Sequence, residues 1–118
     1  LIKTGLASAT ATPEPTAVPN SAPVATAGSE TVTAGSTTTI TLTGTDADDD
    51  TLSFIISALS SGALVDGSTT ITSGDLPFFL AGATVDYTAG STGSDVFSFR
   101  VSDGQEFSSA ADIDITIN

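Results

Sequence analysis

Gly93-Ser94-Asp95-Val96-Phe97-Ser98-Phe99-Arg100-Val101-Ser102-Asp103-Gly104 is the stretch that decides the fold class. Phe97, Phe99 and Val101 alternate with Ser98, Arg100 and Ser102, so a pleated strand made of them has one apolar face and one wet face. Asp103-Gly104 follows and predicts the two-residue, positive-φ turn of a type I′ hairpin. Beyond it, Ala111, Ile113, Ile115 and Ile117 alternate with Asp112, Asp114, Thr116 and Asn118, which gives the hairpin a second two-faced strand.

The same grammar extends upstream. Thr38, Ile40 and Leu42 alternate with threonines, Leu52, Phe54 and Ile56 with Ser53, Ile55 and Ser57, and Val85 and Tyr87 with Thr84, Asp86 and Thr88. Pro23-Val24-Ala25 opens a first edge strand, where proline removes no needed donor. Gly- and Ser-rich turns surround the short apolar pieces Leu64-Val65 and Ile71, read as small strands. About seven strands, with turn signals every 8 to 12 residues or so, predict an all-β, immunoglobulin-like Greek-key sandwich over residues 20–118. Its predicted inward set is Val24, Val32, Ile40, Leu42, Leu52, Phe54, Ile56, Val85, Tyr87, Phe97, Phe99, Val101, Ile113 and Ile115.

Residues 1–19 differ in kind. Ala, Thr and Pro dominate, with prolines at 13, 15 and 19, the composition of an extended, polyproline-like tail or linker. Leu1, Ile2, Leu6 and Val18 are its sizeable apolar side chains, too few to fold alone but enough to dock. The tail is either a flexible linker between repeats or an arm that docks on a neighbouring copy, and the second is expected here: a structural or adhesive subunit that assembles head to tail into a filament or surface array, with a single calcium-rigidified spacer repeat as the alternative. The chain starts at Leu and contains no Met, as expected of a processed or excised segment.

Composition narrows the function. Lys3 and Arg100 face fourteen acidic residues, and the net charge of -12 repels nucleic-acid phosphates and anionic lipid while favouring divalent cations. No apolar run approaches the ~20 residues of a membrane helix. His and Cys are absent, so neither a Ser-His-Asp nor a Cys-His catalytic arrangement can be built. Trp is absent and Tyr87 is the sole Tyr, which leaves paired carboxylates without aromatic sugar platforms. A non-enzymatic role follows.

Asn20-Ser-Ala-Pro23-Val24-Ala25, Leu42-Thr-Gly-Thr-Asp46-Ala-Asp48-Asp-Asp50-Thr-Leu52, Val85-Asp-Tyr87-Thr-Ala-Gly, the stretch 93–104 and the final Ile115-Thr-Ile117-Asn118 together resemble the bacterial cadherin-like, Ig-like tandem repeats of large secreted adhesins and surface proteins. The likeness spans residues 20–118. It departs at Asp49, where the family commonly has Gly, and at Ala89, where it commonly has Pro. The resemblance implies an extracellular or cell-surface structural or adhesive role in bacteria, often with calcium, and no catalysis.

Asp46, Asp48 and Asp50 set three carboxylates at every second residue. Unneutralised, neighbouring charges about 7 Å apart repel by roughly 0.6 kcal/mol in water, and a calcium ion, which takes oxygen ligands, would remove that cost. The alternative is a solvated turn that keeps an acidic protein soluble. An EF-hand is excluded, because Thr51 stands where its Gly belongs and Ser57 where its Glu belongs. Asp103 and Asp95 are further candidate ligands, explained equally by a turn and a loop cap. Leu76-Pro77-Phe78-Phe79-Leu80 reads as either a plug closing the sandwich or an exposed docking ridge.

Overall fold

The computed structural model describes residues 19–118, so Leu1, Ile2, Leu6 and Val18, the predicted assembly residues, lie outside the described part. Eleven strands follow in order: β1 Val24–Thr26, β2 Gly28–Val32, β3 Thr37–Thr41, β4 Thr43–Thr45, β5 Ser53–Ala58, β6 Ala63–Asp66, β7 Thr69–Thr70, β8 Phe78–Phe79, β9 Thr84–Thr88, β10 Gly93–Ser102 and β11 Ala111–Ile117. Among the described residues a 3-10 turn lies at Ser73–Asp75. β1 and β2 are a single strand broken at Ala27, and β3 and β4 a single strand broken at Leu42. β7 and β8 are two-residue stubs, which reconciles the eleven segments with the seven expected.

The strands form a five-stranded sheet in the order β2-β11-β10-β5-β8, a four-stranded sheet β3-β9-β6-β7, and a two-stranded extension β1-β4. All pairs are antiparallel except β11 with β2, which run parallel. The two larger sheets face each other across one apolar layer, the two-layer solution that half-apolar sheets require. Phe97, Phe99 and Val101 of β10 lie in it beside Ile113 and Ile115 of β11, and Val85 and Tyr87 of β9 oppose them. Phe54 and Phe99 pack with ring centroids 6.4 Å apart.

The inward set holds with three amendments. Val24 is 60 % exposed and its neighbour Ala25 packs on the core, so the alternation of β1 runs opposite to expectation. Leu64, Ile71, Leu80, Ala111 and Ile117 join the core. Ile55 is 2 % exposed although it points away from the layer between the sheets. It pairs with Phe79 and shares a groove with Leu76, Pro77 and Phe107, so a second, smaller apolar cluster sits on the outside of the five-stranded sheet. The segment 76–80 accordingly divides: Leu80 is buried and Leu76 and Phe78 pack on the core, whereas Phe79 is 55 % exposed.

The turn after β10 corrects the sequence reading. Gly104 has φ 96°, but Asp103 does not have the positive φ that a type I′ turn centred on Asp103-Gly104 demands. The apex falls one residue later, on Gly104-Gln105, with the Asp103 N–H donating to the Glu106 carbonyl at 3.2 Å. Asp103 instead lends its carboxylate to the turn, accepting from the Gln105 and Glu106 N–H groups at 2.8 and 2.7 Å. Phe99 pairs with Ala111 but Ser102 with Phe107, so the returning chain carries one extra residue, a β-bulge. Ser108 fills it, its hydroxyl accepting from the Val101 N–H at 2.9 Å while its own N–H donates to the Val101 carbonyl.

Asp95 locks the opposite pole. Its carboxylate accepts from the N–H groups of Ser61, Gly62 and Val96 and from the Tyr87 hydroxyl, all between 2.7 and 2.9 Å. Burial by itself would raise the Asp95 pKa, and the hydrogen bonds from Ser61, Tyr87, Gly62 and Val96 together outweigh it and hold the carboxyl below its ordinary value. Asp95 is thus a loop cap, as one of its two sequence readings had it. Burial, with the bond to Asp95, pushes the Tyr87 hydroxyl up to about 12.

Two measurements check this layout. A Cβ on Gly62 would sit 2.5 Å from the Thr88 carbonyl oxygen and 2.6 Å from a Tyr87 ring carbon, whereas one on Gly90 meets nothing within 4 Å. Gly62→Ala therefore costs about 1–3 kcal/mol in urea unfolding, and Gly90→Ala stays within about 0.5 kcal/mol of the parent. Tyr87, the sole Tyr, reports its own ionisation by absorbance, with a midpoint near 12 in place of the usual value of about 10. Asp95→Asn lowers that midpoint but leaves it above the free value, because burial is the larger cause. Asp95 itself, with its pKa depressed in the folded state, contributes stability above the ordinary carboxylate range that is lost as pH falls through its folded pKa.

Candidate metal centre at the acidic pole

β10 starts at Gly93, paired with Ile117, and ends at Ser102, paired with Ser53. At about 3.3 Å per residue its two ends lie roughly 30 Å apart. The β4–β5 connection, carrying Asp46 to Asp50, and the Asp103–Glu106 turn meet at the Ser102 end, where Asn20, at the start of the described chain, also lies. Its last residue, Asn118, is tied at the other end, donating its N–H to the Val32 carbonyl and accepting from the Ala34 N–H. The described chain therefore starts at one pole of the sandwich and finishes at the other.

The acidic loop is wound by its own side chains. Asp46 Oδ1 accepts from the Asp48 N–H at 2.8 Å, and the Asp46 carbonyl accepts from the Asp49 N–H at 3.0 Å. Asp49 takes up a left-handed backbone, φ 56°, which aspartate bears better than most residues and glycine would adopt without strain. This winding turns Asp46, Asp48 and Asp50 inward on one another, with one carboxylate oxygen from each within 4.8 Å of the others. Asp46 Oδ2 is withdrawn from solvent and has no hydrogen-bond partner among the described residues.

The segment that leads into β1 is clamped to the same pole. Asn20 Nδ2 donates to Asp103 Oδ2 at 2.7 Å and to Glu106 Oε2 at 2.9 Å, and the Ser21 N–H donates to Asp48 Oδ2 at 2.8 Å. These contacts join residues 83, 86 and 27 positions apart. Asp103, a predicted ligand, is brought to the pole, but it stands outside the close triplet of carboxylates, and both its oxygens are engaged by the turn and by Asn20. The Glu106 backbone, the Asn20 amide and the Gln105 N–H hold its pKa below the ordinary value. Asn20, Ser21 and Glu106 were not among the predicted site residues.

Electrostatics at the pole run against the fold. Desolvation first, then the charges of Asp46, Asp103, Asp48 and Asp49, raise the Asp50 pKa. A carboxyl raised in this way stabilises the folded state most at low pH and loses that contribution as pH rises through its folded pKa. At neutral pH the pole thus holds like charges close together. The donor set of clustered carboxylate oxygens, one of them an orphaned acceptor, suits a hard oxygen-seeking cation such as calcium, which takes 6 to 8 oxygens at about 2.3–2.6 Å. Asp46, Asp48 and Asp50 would supply three of them.

Among the described residues no helix is long and apolar enough to cross a membrane. No curated protein matches the chain. A family model described as bacterial Ig domain matches residues 20–116, which takes in both sheets, the acidic loop and the turn that faces it; the chain belongs to the bacterial Ig domain family.

Proposed function

We propose that this chain is a non-enzymatic spacer repeat of an extended bacterial surface structure, stiffened by one calcium ion held at its acidic pole by Asp46, Asp48 and Asp50. Domains of its family are typically extracellular, structural or adhesive, and generally non-catalytic. The observation that carries the reading is the clamp at Asn20 and Ser21. The chain begins its domain at the pole where the carboxylates converge, tied to Asp103, Glu106 and Asp48, and ends it at the opposite pole. An ion at that pole would sit beside the incoming chain, neutralise the charges that hold it, and limit the angle at which the preceding segment approaches.

Head-to-tail assembly of copies through residues 1–19 is a second reading, favoured by the same separation of poles. A contact from one pole to the opposite pole of another copy leaves a fresh pole at each end and does not close on itself, the condition for a filament.

Thermal unfolding in EDTA and in calcium checks the first reading. Calcium at 100 times its dissociation constant adds about 2.7 kcal/mol, a rise of roughly 10–20 °C for a domain of about 100 residues. Asp50→Asn removes a like charge whose pKa is raised, so it melts higher than the parent in EDTA at neutral pH and gains less from calcium. An unchanged melting temperature in calcium contradicts the reading. For the second reading, electron microscopy of the intact chain shows filaments that vanish on deletion of residues 1–19, and a monodisperse intact chain at high concentration contradicts it.

A further inference from the structure

The outer face of the five-stranded sheet carries an apolar surface that the calcium site does not use. Among the described residues Val24, Phe79, Val96 and Phe107 are the large apolar side chains that stand exposed, and the last three share this face. Phe79 and Phe107 meet edge to face with centroids 6.4 Å apart and form a ridge toward the Ser102 end. The strand pairings place them there: Phe79 lies opposite Ile55, Ile55 opposite Arg100, and Phe107 bridges to Ser102, so all three lie on the side of Arg100 and away from Phe99. Exposed aromatic rings gathered on so polar a surface mark an interaction face.

The occupant follows from charge and spacing. At -12 the chain repels its own copies, so a contact between copies is least opposed where a cation meets an acid. Arg100 is the only cation in residues 19–118, and it stands exposed on this face. Further along β10, Val96 is exposed on the same side and pairs with the exposed Asp114. Four residues separate Val96 from Arg100, about 13 Å of strand. Midway lies Ser98, paired with Asp112 and donating its hydroxyl to Asp112 Oδ1 at 2.6 Å. Relief alternates with charge: Ser61, Ser94, Val96, Asp114 and Thr116 border a depression of about 490 Å³. One face thus carries a ridge with a cation at one end and a hollow with an acid at the other. A half-turn about an axis that crosses β10 at Ser98, in the plane of the face and perpendicular to the strands, sets each end of one copy against the opposite end of a second. That is the self-complementarity of an isologous two-fold contact.

We infer that two copies of this chain pair through these outer faces, with their β10 strands antiparallel across the contact. The Phe79–Phe107 ridge of each copy rests in the hollow beside Val96 of the other, and Arg100 of each meets Asp114 of the other. The two Asp112 side chains face each other near the axis, but at the spacing of packed sheets, about 10 Å, they lie beyond the screening length of about 8 Å at physiological salt. The contact closes at two copies and points their acidic poles in opposite directions, so it joins chains that approach from opposite sides. It needs neither calcium nor residues 1–19.

The chain has no native cysteine, so single cysteines in the full-length protein test the pairing by disulfide formation between copies. Ser98→Cys, on the axis, meets its own counterpart, whereas Thr41→Cys lies exposed on the opposite sheet. In calcium and in EDTA alike, the Ser98 variant cross-links at least about tenfold faster than the Thr41 variant, because a docked pair holds its thiols at an effective concentration in the millimolar range. Arg100→Glu added to the Ser98 variant slows the cross-link at least about fivefold, since acid then faces acid. Adding Asp114→Arg restores the rate. Adding Asp86→Arg, on the opposite sheet, returns the same net charge and does not. Phe107→Ser, at an exposed position, slows the cross-link about fivefold or more while the parent melting temperature is kept. Sedimentation velocity of the cysteine-free chain shows a dimer with a dissociation constant above about 1 µM, as expected of a contact smaller than the standard interface of about 1,600 Å². A chain that stays monomeric at about 1 mM, equal cross-linking at Ser98 and Thr41, a Ser98 rate untouched by Arg100→Glu, or rescue by Asp86→Arg as fully as by Asp114→Arg overturns the inference.

Discussion

Phe97, Phe99 and Val101 are withdrawn from water almost entirely, and this is possible only while every second residue of β10 stays on the inner face. Slipping the register of β10 by one residue would bring Ser98 and Arg100 into the layer between the sheets. The cost of burying an unpaired guanidinium there fixes the pairing with β11 and β5 more firmly than the ladder hydrogen bonds alone. The pairing in turn sets the poles. With Gly93 opposite Ile117 and Ser102 opposite Ser53, the loops at one end must be 46–50 and 103–106, and those at the other 33–36 and 60–62. The acidic pole is thus a product of the core, positioned by residues that carry no charge.

At the two poles carboxylates solve opposite problems. Asp95 converges four donors on one carboxylate and is stabilised in its charged form, closing the loop over Tyr87 with no need of a partner from outside. Asp50 has like charges for neighbours and is destabilised in its charged form. Both are aspartates in loops of similar composition, and the difference lies in whether backbone N–H groups or other carboxylates face them. A metal is a reasonable proposal at the second pole and superfluous at the first.

Much of the fold was legible in the sequence because strand alternation is a local signal. The pattern of Phe97 to Val101, of Ile113 to Ile117 and of Val85 with Tyr87 survives in the structure unchanged. The turn at Asp103-Gly104 was misplaced by one residue, since the bulge at Ser108 depends on the returning strand and not on the turn residues themselves. Val24 was set inward by alternation, yet the short β1 rests Ala25 on the core, where Gly44 leaves room for the backbone of Val24 to approach. Ile55 is an apolar residue on the otherwise polar outer face of β5, and no local pattern shows why, since its cover, Phe79 and Phe107, comes from segments 24 and 52 residues downstream. At the acidic pole the triplet was visible as a spacing. Asn20 and Glu106 were not, since a single amide and a single carboxylate far apart in sequence acquire a shared role only when the sheets are assembled.

The central question is whether a cation gathers the acidic pole around the incoming chain. A calcium titration followed by amide resonances of the full chain tests this residue by residue. A bound cation gives saturable shifts confined to Asn20 and Ser21, to Asp46 through Asp50 and to Asp103 through Glu106, with Gly93 and Ile117 at the other pole unmoved. Resonances that stay in place at millimolar calcium, or shifts spread evenly over the exposed aspartates Asp112 and Asp114, would contradict it.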